Sequence, residues 1–482
     1  MRKQEALLVV VALTLVGAAV RFATLDRQSF WLDELVTVSL VRQGFGDMID
    51  AIPESEATPY AYYVAAWVWT QVFGWGEVGL RSLSALAGAA TVPVAYGAGA
   101  ALVSRRVGLL AAALVCVNPL LIWYAQEARS YALFAFFSAL TVLFFGRALR
   151  SDQHALVLWA VSSSLALATH YFAIFLVVPE AAWLLARYPR RVRAVLASLL
   201  PAATLLVHVP LILEQRAAGE AVNESSLLSR AAGIAKSIVV GYSFPAELAG
   251  SAAAAALVVF GLVLLVTRAP AESHRGALLA GALAAVSLVV PLVFAVAGLD
   301  FLIARNAIAV VVPAAICVAA GYGANRLGLA AAAVLCVLSL GISLSVSVDE
   351  RFGRTDWRGA ALYLGQPAVE RAIVVTPYMS RTLWSPYLPG LREFESETTR
   401  VGEIVILGLA TEGGFSTGPV QPPAADPAAP PFGFRLAEIE RTPTFALIRY
   451  RSRSPRPVAT EELAGLKLTD LQPGLLLQGP AG

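Results

Sequence analysis

Charged side chains are scarce in this sequence: only 14% of its 482 residues are Asp, Glu, Lys or Arg. Soluble globular proteins carry about 25% charged residues, so the composition excludes an ordinary soluble protein. Hydrophobic residues make up 58% of the chain, and both values indicate a polytopic membrane protein. The formal net charge of +3 is small, and nothing in the composition indicates a protein that binds nucleic acid.

Cysteine and histidine are also rare, which limits disulfide and metal chemistry. The three cysteines, Cys116, Cys317 and Cys336, lie inside apolar runs, where cysteine behaves as a small hydrophobic residue. No disulfide framework is therefore implied. The four histidines form no cluster with metal-ligand spacing, which argues against a tight zinc site.

Apolar runs that approach the ~20 residues of a membrane-spanning helix recur along the first three quarters of the chain. We predict about eleven α-helical spans from them, at residues 6–22, 80–102, 107–124, 131–149, 155–169, 171–186, 194–213, 247–267, 276–297, 304–322 and 327–348. The N-terminal run could instead be a cleaved signal peptide, although it lacks a clean cleavage site.

The placement of Lys and Arg predicts the orientation of these spans. Basic residues precede the first span and follow every second one, at Arg2, Lys3, Arg105, Arg106, Arg147, Arg150, Arg187, Arg190, Arg191, Arg193, Arg268, Arg275 and Arg326. Loops rich in Lys and Arg face the cytoplasm. We therefore predict a multi-pass protein of the inner (plasma) membrane with a cytoplasmic N-terminus, whose first loop and C-terminal part lie outside.

The apolar segment "YAYYVAAWVWTQVFGW" at residues 60–75 would invert this order if it crossed the membrane. Its Tyr and Trp side chains prefer the headgroup zone. We therefore predict a helix that lies in the outer interface.

Hydropathy falls after residue 348, and strand-like runs such as "RAIVVTP", "RVGEIVILGL" and "TFALIRYRS" follow. They come after "DWRGAALYLG", which has the pattern of an N-capped amphipathic helix. We predict a transmembrane domain at 1–348, whose first outer loop at 23–79 contains interfacial helices. A small extracytoplasmic α/β domain follows at 349–482.

Two adjacent carboxylates, Asp33 and Glu34, stand among apolar residues in "SFWLDELVTV" on the first outer loop. Glu127 and Arg129 lie on a second outer turn, "YAQEARSY". Together with the aromatic interfacial helix, they indicate a site where lipid meets water, which suits a lipid-linked substrate. The plainer alternative is that Asp33 and Glu34 only cap the next helix, because acids are favoured in a first turn.

Five sequence blocks occur in a recognisable order: "SFWLDELVT", "TPYAYYVAAWVW", "YAQEARSYAL", "THYF" and "DWRGAALYL". The series resembles bacterial glycosyltransferase family 39-like membrane proteins. These belong to the glycosyltransferase C superfamily, with protein O-mannosyltransferases and lipid A aminoarabinose transferases. The blocks occur in family order across most of the chain, while only hydropathy matches between them. The resemblance implies a glycosyltransferase C-type fold.

The resemblance also implies a reaction. A sugar would pass from a polyprenyl-phosphate donor to a protein, lipid or polysaccharide acceptor, by an inverting displacement on the outer face of the membrane. Asp33 is the candidate base for the acceptor hydroxyl, and Glu34 would position the acceptor or a cation. Arg129 and Arg305 are candidates for the donor phosphate, because guanidinium pairs bidentately with phosphate. Arg305 could instead be an interfacial arginine that snorkels.

Five further residues are predicted to bind substrate: Glu127, His170, Tyr171, Tyr62 and Tyr63. Glu127 could orient the Arg129 guanidinium or contact the acceptor. A plainer reading makes Glu127 and Arg129 a surface ion pair, and a lone interfacial histidine is more often simply hydrogen-bonded.

The chain departs from the family pattern at two positions. Thr58 stands where relatives often have His, so a metal held by a His at that position is not expected. Asn306 replaces a Tyr after Arg305, which weakens the assignment of that arginine. No cofactor is certain, and a divalent cation held by Asp33, Glu34 and Glu127 stays open.

Two other classes of function stay open. A transporter or flippase for a lipid-linked envelope precursor would place ionisable groups near the membrane midplane. Glu180 is the main such residue in the spans. A non-catalytic assembly protein would leave the acidic pair without a role.

Overall fold

The computed structural model describes residues 3–150, 152–188, 191–218, 226–376, 378, 381–394, 397–410, 419, 421–424, 426, 429–469 and 471–480. The basic residues Arg2 and Arg190 lie outside the described residues. The chain divides into two compact units. The helical unit comprises Met1–Leu25 and Leu40–Ser345, and the sheet unit comprises Asp26–Ser39 and Val346–Gly482.

Helices make up nearly all of the chain before residue 349. They are α1 (Lys3–Phe22), α2 (Leu32–Val41), α3 (Phe45–Ser55), α4 (Ala61–Phe73), α5 (Glu77–Leu102), α6 (Arg105–Val117), α7 (Pro119–Ala125), α8 (Tyr131–Ala148), α9 (Gln153–Thr169), α10 (Ile174–Arg187), α11 (Arg191–Ala218), α12 (Leu227–Val240), α13 (Glu247–Arg268), α14 (Ala271–Val296), α15 (Val311–Tyr322) and α16 (Arg326–Val348). Short 3₁₀ segments precede α10, at Tyr171–Ala173, and α15, at Ala304–Val310.

The number of spans differs from the sequence-based expectation. Among the described residues, eight helices are long and apolar enough to cross a membrane, or nine if the bent pair α6 and α7 counts as one span. The predicted spans at 155–169 and 171–186 are helical, but α9 and α10 have only 17 and 14 residues, fewer than the ~20 of a straight span. The structure is that of a multi-pass membrane protein, and the count of eleven is not confirmed.

The predicted span at 107–124 is broken rather than continuous, with a bend of 57° between α6 and α7. The side chain of Asn118 caps α7, and Pro119 is its first residue, a position where the missing amide of proline costs nothing. The break frees carbonyls at the end of α6. The guanidinium of the buried Arg21 donates to the carbonyls of Val115 and Cys116, at 3.2 and 2.9 Å.

The segment predicted to lie in the outer interface is helical, as α4. It packs against α5, which in turn packs against α1, α6 and α8. Most of the buried residues of α5 are Ala, Gly or Ser, and such small residues allow close helix approach in membranes. The interfacial position of α4 stays a prediction.

The sheet unit contains six strands in the order β2, β6, β1, β3, β5, β4. Its elements are α17 (Trp357–Leu364), β1 (Arg371–Thr376), α18 (Arg381–Trp384), β2 (Leu391–Glu393), β3 (Thr398–Leu409), β4 (Arg435–Arg441), β5 (Phe445–Ala459), α19 (Thr460–Ala464) and β6 (Gly474–Gln478). Strands β1 and β3 are parallel, and the other neighbours are antiparallel.

Local sequence signals of the sheet unit are confirmed. Asp356 caps α17 by accepting the amide of Gly359 at 2.9 Å, and the three strand-like runs form β1, β3 and β5. Residues Ile404, Ile406, Ile448 and Tyr450 are fully buried in one cluster of the unit's core, because alternate residues of two neighbouring strands point to the same face of the sheet. The extracytoplasmic position of this part of the chain stays a prediction.

Candidate active site

The acidic pair lies in the first turn of α2, within the sheet unit. Glu34 is fully buried, and its Oε2 accepts the backbone amide of Trp31 at 3.3 Å. This is the return bond of a capping box, in which the third helical residue satisfies the amide that precedes the helix. Asp33 is only partly buried. The structure therefore gives the capping role to Glu34 and leaves Asp33 as the more accessible carboxylate of the two.

The residues before the acidic pair are held by the start of the sheet unit. Ser29 Oγ donates to the carbonyl of Thr355 at 3.1 Å and accepts the amide of Trp357 at 2.8 Å. The amide of Phe30 donates to the hydroxyl of Tyr387 at 2.6 Å. Two blocks of the family series, "SFWLDELVT" and "DWRGAALYL", are thus joined by hydrogen bonds, although more than 300 residues separate them.

In the helical unit, the "YAQEARSY" turn joins α7 to α8. Gln126 Nε2 donates to the carbonyls of Val20 and Arg21 at the end of α1, at 3.1 and 3.3 Å, and to Thr24 Oγ1 at 2.7 Å. These bonds satisfy carbonyls that have no partner within a helix at its C-terminus. These bonds fix the turn to α1 independently of its charged residues.

Arg129 on this turn forms a buried ion pair with Glu56, whose nearest oxygen lies 2.5 Å from Nη1. Glu56 follows α3 and stands just before the "TPYAYY" block. The sequence suggested Glu127 as the residue that orients the guanidinium, and it did not indicate Glu56. The backbone amide of Arg129 donates to the carbonyl of Glu127 at 2.9 Å.

Beside the ion pair, α4 contributes two buried tyrosines. The hydroxyl of Tyr63 is hydrogen-bonded to that of Thr58 at 3.0 Å. Burial raises the pKa of Tyr63 well above its usual range, with contributions from Arg129 and Glu56 in opposite directions. The ring of Tyr62 meets that of Tyr63 edge to face, with centroids 5.4 Å apart.

A second part of the cluster surrounds Glu127, which is buried. The hydroxyls of Tyr124 and Tyr242 are hydrogen-bonded to each other, and the Tyr124 ring lies 4.8 Å from that of Tyr131. The Arg305 guanidinium lies 5.8 Å from the Tyr131 ring centroid, within cation–π range. Burial raises the pKa of Tyr242, and among the further influences Arg305 lowers it while Glu127 raises it. Both charges therefore act on one tyrosine pair.

His170 is buried between these groups and the aromatic side chains of α8. Its ring stacks on Phe134 with centroids 4.6 Å apart, and its Nδ1 accepts the amide of Phe172 at 3.2 Å. Burial lowers the pKa of His170 to about 3, and Arg305 and Arg129 act in the same direction. At neutral pH the imidazole is uncharged, so it can contact a substrate but is a poor proton acceptor.

Tyr171 is connected to the "TPYAYY" block through one glutamine. Its hydroxyl donates to Gln215 Oε1 at 2.8 Å, and Gln215 Nε2 donates to the carbonyl of Thr58 at 3.3 Å. Thr58, which stands in place of the family's histidine, therefore takes part in two of the bonds that hold this region together. The sequence did not indicate Gln215, because it lies in an otherwise apolar helix.

The helical unit thus brings four of the predicted residues into one electrostatically connected group: Glu127, Arg129, His170 and Arg305. The sequence analysis missed Glu56 and the tyrosines at 124 and 242. Among the residues that the structure describes, no group of three His, Cys, Asp or Glu side chains could hold a metal ion.

Glu180, the main ionisable residue within the predicted spans, is held by hydrogen bonds inside the helical unit. Trp159 Nε1 donates to it at 2.8 Å and Thr141 Oγ1 at 3.3 Å. A buried acid with two donors stabilises helix packing, and this arrangement adds no support for a transport pathway.

The fold of this chain can be compared with those of solved structures. It is similar to ArnT from Cupriavidus metallidurans bound to undecaprenyl phosphate, with a TM-score of 0.58 and 13% identity over 93% of this chain and 98% of that chain. For the apo state of ArnT the TM-score is 0.48, with 17% identity over 65% of this chain and 59% of that chain. For the apo Archaeoglobus fulgidus oligosaccharyltransferase it is 0.45, with 12% identity over 75% and 58%.

Sequence comparison finds a family model that matches part of the chain. Residues 56–213 match the family model described as dolichyl-phosphate-mannose-protein mannosyltransferase, which confirms the resemblance read from the sequence blocks. No curated protein sequence matches the chain. The matched range begins at Glu56 and includes Glu127, Arg129 and His170, so most of the buried cluster lies inside it.

Proposed function

We propose that this protein is a membrane glycosyltransferase that moves a sugar from a polyprenyl-phosphate donor to an acceptor hydroxyl. The buried cluster around the Glu56–Arg129 ion pair carries the proposal, because most of it lies within the range that matches the mannosyltransferase family. A structure of similar fold, ArnT, was determined with undecaprenyl phosphate bound, which supports a polyprenyl-phosphate donor.

Arg129 and Arg305 bind the donor phosphate in this proposal. A phosphate carries at least one negative charge beside the sugar, and guanidinium groups match its oxygens in pairs. Glu56 occupies one nitrogen of Arg129 and fixes the direction of its guanidinium. Arg305 is supported on the Tyr131 ring. Tyr62, Tyr63, Tyr171 and the neutral imidazole of His170 shape the pocket for sugar or lipid.

Asp33 takes the proton of the acceptor hydroxyl as the acceptor oxygen attacks the anomeric carbon. The bond from that carbon to the phosphate oxygen breaks, the polyprenyl phosphate leaves with the bonding electrons, and the configuration inverts. General-base assistance of this kind is typically worth ~10²–10⁴-fold. Glu34, buried at the start of α2, holds the backbone that carries Asp33.

The reaction takes place on the outer face of the inner membrane in this proposal, as the distribution of Lys and Arg predicts. A reporter enzyme fused after Gly365 should be active only outside the cytoplasm. Activity of the fusion only in the cytoplasm would reverse the assignment of sides.

The activity is tested with the purified full chain in liposomes, supplied with synthetic polyprenyl-phosphate sugars and a cell-envelope extract as acceptor. We expect release of polyprenyl phosphate together with incorporation of the sugar into the acceptor. Matching nucleotide sugars serve as the control donors and should give no transfer. Transfer from nucleotide sugars alone, or no transfer from any of a panel of lipid-linked hexoses and pentoses, would overturn the proposal.

A further inference from the structure

A cavity of about 470 Å³ lies at the far ends of α5 and α8, where α6 and α9 begin. It is lined by Arg105, Arg147 and Arg150, together with Ser104 and Asp152. Helix α8 starts at the turn that carries Arg129 and has 18 residues, which at 1.5 Å per residue separates its two ends by about 27 Å. The cavity is therefore distinct from the candidate active site.

The charge of the cavity is not balanced by its own residues. Asp152 is the one carboxylate among its lining residues. It pairs with Arg147 at 3.0 Å, and its other oxygen accepts the amides of His154 and Ala155 at the start of α9. Arg150 donates to a backbone carbonyl and forms no ion pair with the residues that the structure describes. Three guanidinium groups thus meet one carboxylate.

The position of Arg105 also indicates an anion. It is the first residue of α6, next to the cap formed by Ser104, which accepts the amide of Val107. The N-terminus of a helix carries partial positive charge and favours anions, whereas a cation in the first turn is unfavourable. Arg105 and Arg106 both stand there, and an anion bound in the cavity beside Arg105 would offset the penalty.

We propose that this cavity binds the phosphodiester headgroup of an anionic phospholipid. The cavity lies at the ends of helices α5 and α8, and the predicted orientation places it on the cytoplasmic side, where basic pockets between spanning helices recognise anionic headgroups. Tyr96 and Val103 also line it, giving the glycerol and upper acyl carbons an apolar surface beside the cations. The site is independent of the glycosyl-transfer proposal.

Lipid binding is measured on the purified full chain by native mass spectrometry, with dioleoyl phosphatidylglycerol against dioleoyl phosphatidylcholine. We expect at least tenfold tighter binding of phosphatidylglycerol to the wild type. The triple variant Arg105→Gln, Arg147→Gln, Arg150→Gln should lose this preference. The matched control, Arg268→Gln, Arg275→Gln, Arg326→Gln, removes the same charge at exposed positions of the same predicted membrane side and should keep it.

A single variant and a competition with inorganic phosphate also test the site. The single substitution Arg105→Glu tests the site if the triple variant does not fold, because Arg105 is exposed and forms no described hydrogen bond or ion pair. It should weaken the binding of phosphatidylglycerol at least threefold. Inorganic phosphate at 10 mM, in large excess over lipid (on the order of 10³-fold), should not displace the lipid. Equal preference in the triple and control variants, or displacement by inorganic phosphate, would overturn the proposal.

Discussion

Arg129 and Glu56 form a buried ion pair that connects two separate turns of the helical unit, one between α7 and α8 and the other between α3 and α4. Both side chains are almost completely shielded from solvent. Because each charge would be costly to bury alone, the pair fixes the distance between the two turns. The turn with Glu127 and the tyrosines of α4 are thereby held beside one another.

The first prediction concerns this pair. Glu56→Gln keeps the size of the side chain but leaves the Arg129 charge without its carboxylate, and breaking a buried pair in this way costs ~3–5 kcal/mol. We expect a clear fall in the Tm of the detergent-purified protein and weaker binding of polyprenyl phosphate. Glu54→Gln, which changes an exposed acid in the last turn of α3, is the matched control.

A double substitution tests whether the stability loss comes from the ion pair itself. Replacing both Glu56 and Arg129 by Met removes both buried charges, so the loss of stability should be smaller than the sum of the two single substitutions. If Glu56→Gln unfolds at the same temperature as Glu54→Gln, the ion pair does not hold the two turns.

The second prediction distinguishes the two members of the acidic pair. Asp33→Asn removes basicity from a partly exposed side chain, so sugar transfer should fall by ~10²-fold or more while the Tm stays unchanged. Glu34→Gln alters the buried cap, and we expect it to lower stability by about 0.5–2 kcal/mol. Asp50→Asn, an exposed acid of the same loop, should do neither. Near wild-type transfer by Asp33→Asn would remove Asp33 from the mechanism.

Sequence signals that act over a few residues predicted their structures well. The Asp356 cap of α17 and the helical segment α4 both follow from neighbouring residues. The adjacent Asn118 and Pro119 are likewise a local signal for a helix start, but the strong hydropathy of 107–124 favoured one continuous span. A helix start inside an apolar run needs partners for the carbonyls before it, and Arg21 supplies these from another helix.

Long-range pairings could not be predicted in this way. Glu56 and Arg129 are 73 residues apart, and no pattern in a single sequence specifies which acid pairs with which arginine. Residues 26–39 belong to the sheet unit, and one of their bonds to it joins Ser29 to Thr355, 326 residues away. The family blocks indicated that these stretches matter, but hydrogen bonds between them follow only from the folded chain.

The third prediction is a pH dependence that arises from His170. Its pKa is about 3 in the folded protein and ~6.5 in an unfolded chain. The unfolded state therefore binds more protons below pH 6.5, and the free energy of unfolding falls as the pH drops through this window. At pH 5 the cost is about 2 kcal/mol relative to pH 7.5.

The matching variant is His170→Asn, because an Asn oxygen can still accept the Phe172 amide. We expect a smaller difference in Tm between pH 7.5 and pH 5 than in the wild type. His154→Asn, which changes an exposed histidine, should keep the wild-type difference. An acid-induced fall in Tm that is the same in all three proteins would show that the imidazole is not held neutral by burial.

The last prediction concerns the contact between α5 and the end of α7. A Cβ atom on Gly88 would lie 2.6 Å from that of Ala125 and 3.0 Å from Arg21 Nε. Alanine in place of glycine normally stabilises a helix by about 0.5–1 kcal/mol, but overpacking costs ~1–3 kcal/mol. Gly88→Ala should therefore lower the Tm. It should also reduce sugar transfer, since Ala125 immediately precedes the turn that carries Glu127 and Arg129.

The control is Gly341→Ala, where an added Cβ would meet nothing within 4 Å. It should leave activity intact and the Tm equal or higher. If both variants behave alike, α5 and α7 are not in close contact and the turn is not positioned by Gly88.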